Sequence, residues 1–173
     1  LVLASLVFLP ACLAQPDETY RPNSKSPAAA QVKLDTHPVA FPQYPTISPD
    51  GSVIVFSYAG DLWSVPAAGG VADRLTAHPS DEGRSAFSPD GNSLAFESER
   101  DGPANIYIMP LAKVGGTLTG GTPRRITIYD KGQALSGFSP DGKYVLFSPS
   151  LDPSIYRMTR MYRAPVDGPE TGG

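Results

Sequence analysis

The chain has 173 residues, with 14 basic against 17 acidic side chains for a net charge of −3, one cysteine and two histidines. Its basic residues gather only at Arg124-Arg125 and the scattered Arg157, Arg160 and Arg163, which read as strand-edge charges and exclude the phosphate-binding surface that nucleic acid requires. A lone Cys12 excludes an internal disulfide, and His37 and His78 are too few for most metal sites; with no HExxH, CxxC or phosphate loop, no cofactor is expected.

In chain order, Leu1 to Ala14 reads LVLASLVFLPACLA, an uncharged apolar run. It falls short of the about 20 residues that span a bilayer and fits the hydrophobic part of a secretory signal. With no initiating Met and no charged segment before it, the sequence is expected to begin inside that signal, and residues 1–14 are a partial signal peptide. Leu9-Pro10-Ala11-Cys12 also resembles a bacterial lipobox, apart from Pro10. Cys12 is therefore either a lipidation site or one more apolar residue of the signal. Both readings export the protein, to the periplasm or beyond, and limit membrane contact to the signal or a lipid anchor. Residues 15–40 are polar and broken by Pro16, Pro22, Pro27 and Pro38. They cannot offset their ordering entropy and read as a disordered linker.

From residue 41 a repeat takes over. The string SPDG occurs at Ser48–Gly51, Ser88–Gly91 and Ser139–Gly142, with spacings of 40 and 51 residues. Thr76 precedes Ser88 by 12 residues and Thr127 precedes Ser139 by 12, so the extra length of the second unit lies inside it, mostly in LAKVGGTLTGGT. Constant joints with insertions elsewhere are what strands linked by tolerant loops produce. Glycine and proline make up about a fifth of the chain, which suits many short strands and tight turns. In each unit a short strand enters Pro-Asp-Gly, where proline presets φ, aspartate bonds the backbone beyond, and glycine takes the positive φ. Asp50, Gly51, Asp90, Gly91, Asp141 and Gly142 are on this basis structural turn residues rather than a calcium ring.

Apolar runs follow at Val53-Ile54-Val55-Phe56, Leu94-Ala95-Phe96 and Tyr144-Val145-Leu146-Phe147. They read as strands covered on both faces. A third strand carries an aromatic: Leu62-Trp63-Ser64-Val65, Ile106-Tyr107-Ile108-Met109 and Met161-Tyr162-Arg163-Ala164. A Gly-Gly or Asp-Gly turn then leads to a fourth, such as Asp73-Arg74-Leu75-Thr76. About 40 residues folding into four antiparallel strands is a β-propeller blade. The expected fold is all-β, with blades near 41–77, 83–128 and 134–168: two full blades and most of a third. A ring needs at least about four, so residues 41–173 are expected to be a propeller fragment completed by further blades.

The units resemble the PD40 subset of WD40-like repeats, and most closely the N-terminal propeller of tricorn-type serine proteases. The resemblance rests on Tyr44–Gly51, on Tyr58–Pro66 with Gly69-Gly70 and Arg74-Leu75-Thr76, and on Ile106–Pro110. It implies a longer parent with a downstream serine peptidase core, in which the propeller recognises or channels peptides and holds no catalytic residue. A TolB-like periplasmic scaffold that binds proteins, and the propeller of an amidohydrolase, are the alternatives, because fold alone does not fix function.

Candidate site residues are few. No GxSxG elbow is present, and His78, on the loop between units, reads as a solvated or turn-bonded histidine rather than a general base. Asp81 and Glu82 beside it are candidates to line a central channel, where their charges would read peptide termini. Trp63 and Tyr107 occupy equivalent positions and read as blade packing.

Overall fold

Each SPDG string folds into the same hydrogen-bonded hinge. The Ser48 Oγ accepts the Val53 N–H at 3.0 Å and donates to Asp50, whose Oδ1 also accepts the Ser52 N–H at 3.0 Å. The Gly51 N–H donates to the Ser48 carbonyl at 2.8 Å with φ +72°, a conformation that costs glycine little. Ser88, Asp90 and Asn92 repeat this geometry, as do Ser139, Asp141 and Lys143. Hydrogen bonds to the carboxylates hold all three aspartates below their ordinary range, led by Lys113 for Asp50, Ser88 for Asp90 and Ser139 for Asp141.

The computed structural model describes residues 38–149 and 160–168. The signal, the lipobox with Cys12, and most of the linker lie outside them. Three antiparallel sheets follow one another along the chain. The first contains β1 (Gln43–Ile47), β2 (Val53–Tyr58), β3 (Asp61–Pro66) and β4 (Asp73–Arg74) in that order. The second is built from β5 (Glu82–Phe87), β6 (Ser93–Ser98), β7 (Asn105–Val114), β8 (Thr117–Gly120) and β9 (Arg124–Arg125). The third has β10 (Gln133–Phe138), β11 (Tyr144–Pro149) and β12 (Tyr162–Pro165).

The sheets stack by their faces, and period-two alternation tells each strand which neighbour it meets. In β6, Leu94 and Phe96 join Val55 and Leu62 of the first sheet, while Ala95 between them joins Leu135 and Val145 of the third. Tyr107 and Ile106 divide in the same way along β7. A middle sheet is thus covered twice, which is why its strands carry unbroken apolar runs. Exposure rises in the two outer sheets. Tyr107 is 3% exposed, whereas Tyr162, its counterpart beside Phe147 on the face of the third sheet turned to the middle one, is 46% exposed. Ile47 occupies the place of Phe87 and is 56% exposed.

Two elements differ from the sequence expectation. The fourth strand of the first sheet ends at Arg74, because the Thr76 side chain replaces the ladder: its Oγ1 accepts the Leu62 N–H at 2.9 Å. In the second unit, the stretch expected as a long loop is a hairpin. Val114 pairs with Thr117 across Gly115-Gly116, both at positive φ (+59° and +90°), the backbone of a two-residue turn that matches strand twist. Its Leu118 is buried against the core shared by the first two sheets.

Candidate functional site

The joint between the first two sheets is tied by a chain of polar side chains. Thr76, just after β4, donates its hydroxyl to Glu82 at the start of β5. The other Glu82 oxygen receives Arg100, whose guanidinium lies over the rings of Phe96 (5.4 Å) and Tyr107 (4.8 Å). The Glu82 backbone is held too, its N–H by Gly60 O at 2.9 Å and its C=O by the Ser57 hydroxyl at 2.7 Å. Paired and stripped of water, this carboxylate has no face left for a ligand. The Glu82 carboxylate is thus spent on the inter-sheet joint, while the residue itself, like Asp81, borders the cavity at this end of the sheets.

Asp81 has the opposite fate. It is exposed, and its carboxylate leans over the Ala59-Gly60 turn, so close that a Cβ on Gly60 would stand 2.7 Å from its Oδ1. It borders a cavity of about 460 Å³ at the end of the sheets where the inter-sheet loops lie. Glu97 and Glu99 line it as well, as do the aromatic residues Phe41, Tyr44 and Tyr58. Glu97 is half-buried, and desolvation pushes its pKa up against the bonds it accepts from Leu135 and Arg84. Arg84 touches two of the lining residues, its guanidinium 5.0 Å from the centre of the Tyr44 ring and 3.9 Å from Glu97.

Among the described residues, three that are not glycine have positive φ: Phe41, Tyr44 and Ala59. All three line this cavity. Left-handed backbone at bulky residues is costly and tends to collect where a surface is shaped for a task. Phe41, one of them, is 90% exposed.

The remaining candidates are structural in their contacts. His78 receives the Ser80 N–H on Nδ1 at 3.2 Å, and its own N–H donates to Asp61. Trp63 packs edge-on against Tyr58 and donates Nε1–H to its carbonyl at 3.0 Å. Tyr107 stacks with Phe96, and burial together with its hydrogen bond to Asp101 pushes its pKa up to about 12. Among the described residues no three of His, Cys, Asp and Glu converge as metal ligands. Sequence reasoning missed Glu97, Glu99 and the aromatic wall. One signal was available: Glu97 follows Phe96 where the other units place Ser57 and Ser148.

A family model for the tricorn protease N-terminal β-propeller domain matches residues 33–172. The chain belongs to this family. Among curated relatives, this tricorn-type propeller segment is 28% identical to tricorn protease homolog 1 of Streptomyces coelicolor over 121 residues, covering 69% of the chain and 11% of that protein. It is 31% identical over 124 residues to the uncharacterized peptidase YuxL of Bacillus subtilis, covering 65% of the chain and 17% of that protein. The segment thus spans well under a quarter of either relative. Among solved structures, it resembles the putative TolB of Agrobacterium tumefaciens with a TM-score of 0.57 and 26% identity, over 74% of the chain and 43% of that structure. The crystal structure of the tricorn protease aligns with a TM-score of 0.51 and 23% identity, over 70% of the chain and 12% of that structure, a likeness of fold.

Proposed function

We propose that this chain is a noncatalytic propeller segment of an exported tricorn-like serine peptidase, and that it recognises or channels peptides. The observation that carries the reading is the cavity of Asp81, Glu97 and Glu99, walled by Phe41, Tyr44 and Tyr58, onto which the left-handed non-glycine residues converge. Three carboxylates with one neutralising arginine favour a cation, and aromatic faces add to that preference. A peptide amino terminus or a basic side chain is the ligand that fits.

The rest of the reading follows from the same frame. Residues 41–77, 83–128 and 134–168 are its blades, and the face carrying the exposed Ile47 seats a further blade of the parent. Residues 1–14 direct export, with Cys12 either lipidated or removed with the signal, and residues 15–40 are a tether. Chemistry, on this view, resides in another part of the parent. A second reading is favoured by the likeness to TolB, which is above a quarter identical in sequence: a scaffold that binds a protein partner and performs no chemistry.

The test is calorimetric titration with short peptides carrying a free amino terminus, against their acetylated forms. Binding to the free form is expected, weakened about tenfold by acetylation, by Asp81→Asn or by Glu99→Gln, and further weakened by salt. Equal affinity for both forms, unaffected by either substitution, overturns the peptide-terminus reading. Binding only to a folded protein partner supports the scaffold.

A further inference from the structure

The opposite end of the sheets holds a second cavity, of about 430 Å³, between the Pro-Asp-Gly turns of the first two sheets and the β7–β8 hairpin. Val53, Phe87, Leu111 and Leu118 make it apolar within, while Asp50, Asp90 and Lys113 border it. The Lys113 ammonium is already committed, donating to Asp50 Oδ2 at 2.8 Å and Ser52 Oγ at 2.9 Å. Asp90 has no cation among the described residues; it receives only the Ser88 hydroxyl and the Asn92 backbone and side-chain amides.

The backbone beside this hollow is also open. The Leu111 N–H donates to Asn92 O at 2.8 Å, so Leu111 turns its peptide groups toward the β6 side. Orientation alternates along a strand, and Lys113 therefore turns its N–H and C=O the same way. Pairing between β6 and β7 ends at Ser93 and Pro110, while β8 covers only the other edge. From Lys113 onward the inner edge of β7 has no neighbouring strand among the described residues, and Ala112, Lys113 and Val114 are exposed.

We propose that this edge and its hollow bind an extended peptide segment by strand addition. Its backbone pairs with Lys113, an apolar side chain enters the space between Phe87, Leu111 and Leu118, and a basic side chain meets Asp90. An uncovered edge is a template for a further strand, with main-chain bonds supplying affinity and side-chain pockets supplying selectivity. The site lies away from Asp81, and its failure leaves the reading of that cavity standing.

The probe is an acetylated, amidated hexapeptide of alternating lysine and leucine, titrated into the full chain and followed by backbone amide NMR shifts. Shifts at Leu111–Val114 and Asn92 are expected, with binding weakened about tenfold when the central residues are N-methylated, because the pairing N–H groups are gone. Replacing lysine by glutamate in the peptide is expected to weaken binding as much. Lys113→Pro removes the open N–H without touching a bond to β8 and is expected to abolish binding; the N-methylated peptide applies the same test to unaltered protein. Undiminished binding of the N-methylated peptide overturns the proposal. So does binding lost in Asp81→Asn but kept in Lys113→Pro, which assigns the peptide to the other cavity. A dimer in sedimentation that Lys113→Pro dissolves and the peptide leaves intact assigns the edge to a second copy instead.

Discussion

Glu97 of β6 accepts the backbone N–H of Leu135, in the first strand of the next sheet, at 2.7 Å. The corresponding joint one sheet earlier is made by Ser57, whose hydroxyl donates to Glu82 O at 2.7 Å. An ionisable group has replaced a neutral one at a half-buried joint, and its pKa is raised by desolvation.

A pH dependence follows from that replacement. A carboxyl whose folded pKa lies above its unfolded value binds its proton more tightly when folded. Its contribution is fully present below the unfolded pKa and is lost as pH rises through the folded one. Urea titrations from about pH 4 to pH 8 should show this component of stability falling with pH, and Glu97→Gln should flatten it. Asp50, Asp90 and Asp141, with lowered pKa values, act in the opposite direction at lower pH. An unchanged profile in Glu97→Gln would show that the joint does not titrate.

Glu82→Ala should destabilise the chain strongly. It leaves Arg100 without its carboxylate beside Phe96 and Tyr107, and removes the acceptor of Thr76. Breaking a buried pair from one side costs about 3–5 kcal/mol, and the residual solvent access of Arg100 places this case at the lower end. The readout is the midpoint of chemical unfolding, with Asp81→Ala, an exposed neighbour, as the near-neutral comparison.

Phe96→Ala should cost about 3–5 kcal/mol, since the ring is fully buried between the first two sheets. Phe147→Ala should cost less, because that ring is 9% exposed and its stacking partner Tyr162 is exposed. Equal losses in thermal denaturation would show that the two inter-sheet joints are packed alike.

Leu118→Ala should unseat the hairpin while sparing the sheets beneath. Its side chain is the part of β8 that enters the core, and truncation there costs about 2–5 kcal/mol. Amide exchange should accelerate from Ala112 to Thr119 and remain slow at Leu94–Phe96. Uniform acceleration would mean that the hairpin and the sheets open together.

The sequence by itself determined the repeat, the hinge chemistry and the all-β class. Those depend on neighbours: Ser48, Asp50 and Gly51 satisfy one another within a few residues, and so do their counterparts in each unit. The apolar run at Leu94–Phe96 likewise announced a strand with cover on both faces. What only the tertiary structure decided was the fate of side chains at the joints. Asp81 and Glu82 are adjacent in sequence, alike in charge and both at the cavity, yet the first side chain is exposed and the second carboxylate is taken by Thr76 and Arg100. A strand turns successive side chains to opposite sides, and which side holds water depends on the sheet packed against it. The cavity of Asp81, Glu97 and Glu99 draws on residues from Phe41 to Ala104, and no local spacing encodes a meeting that the stacking of two sheets creates.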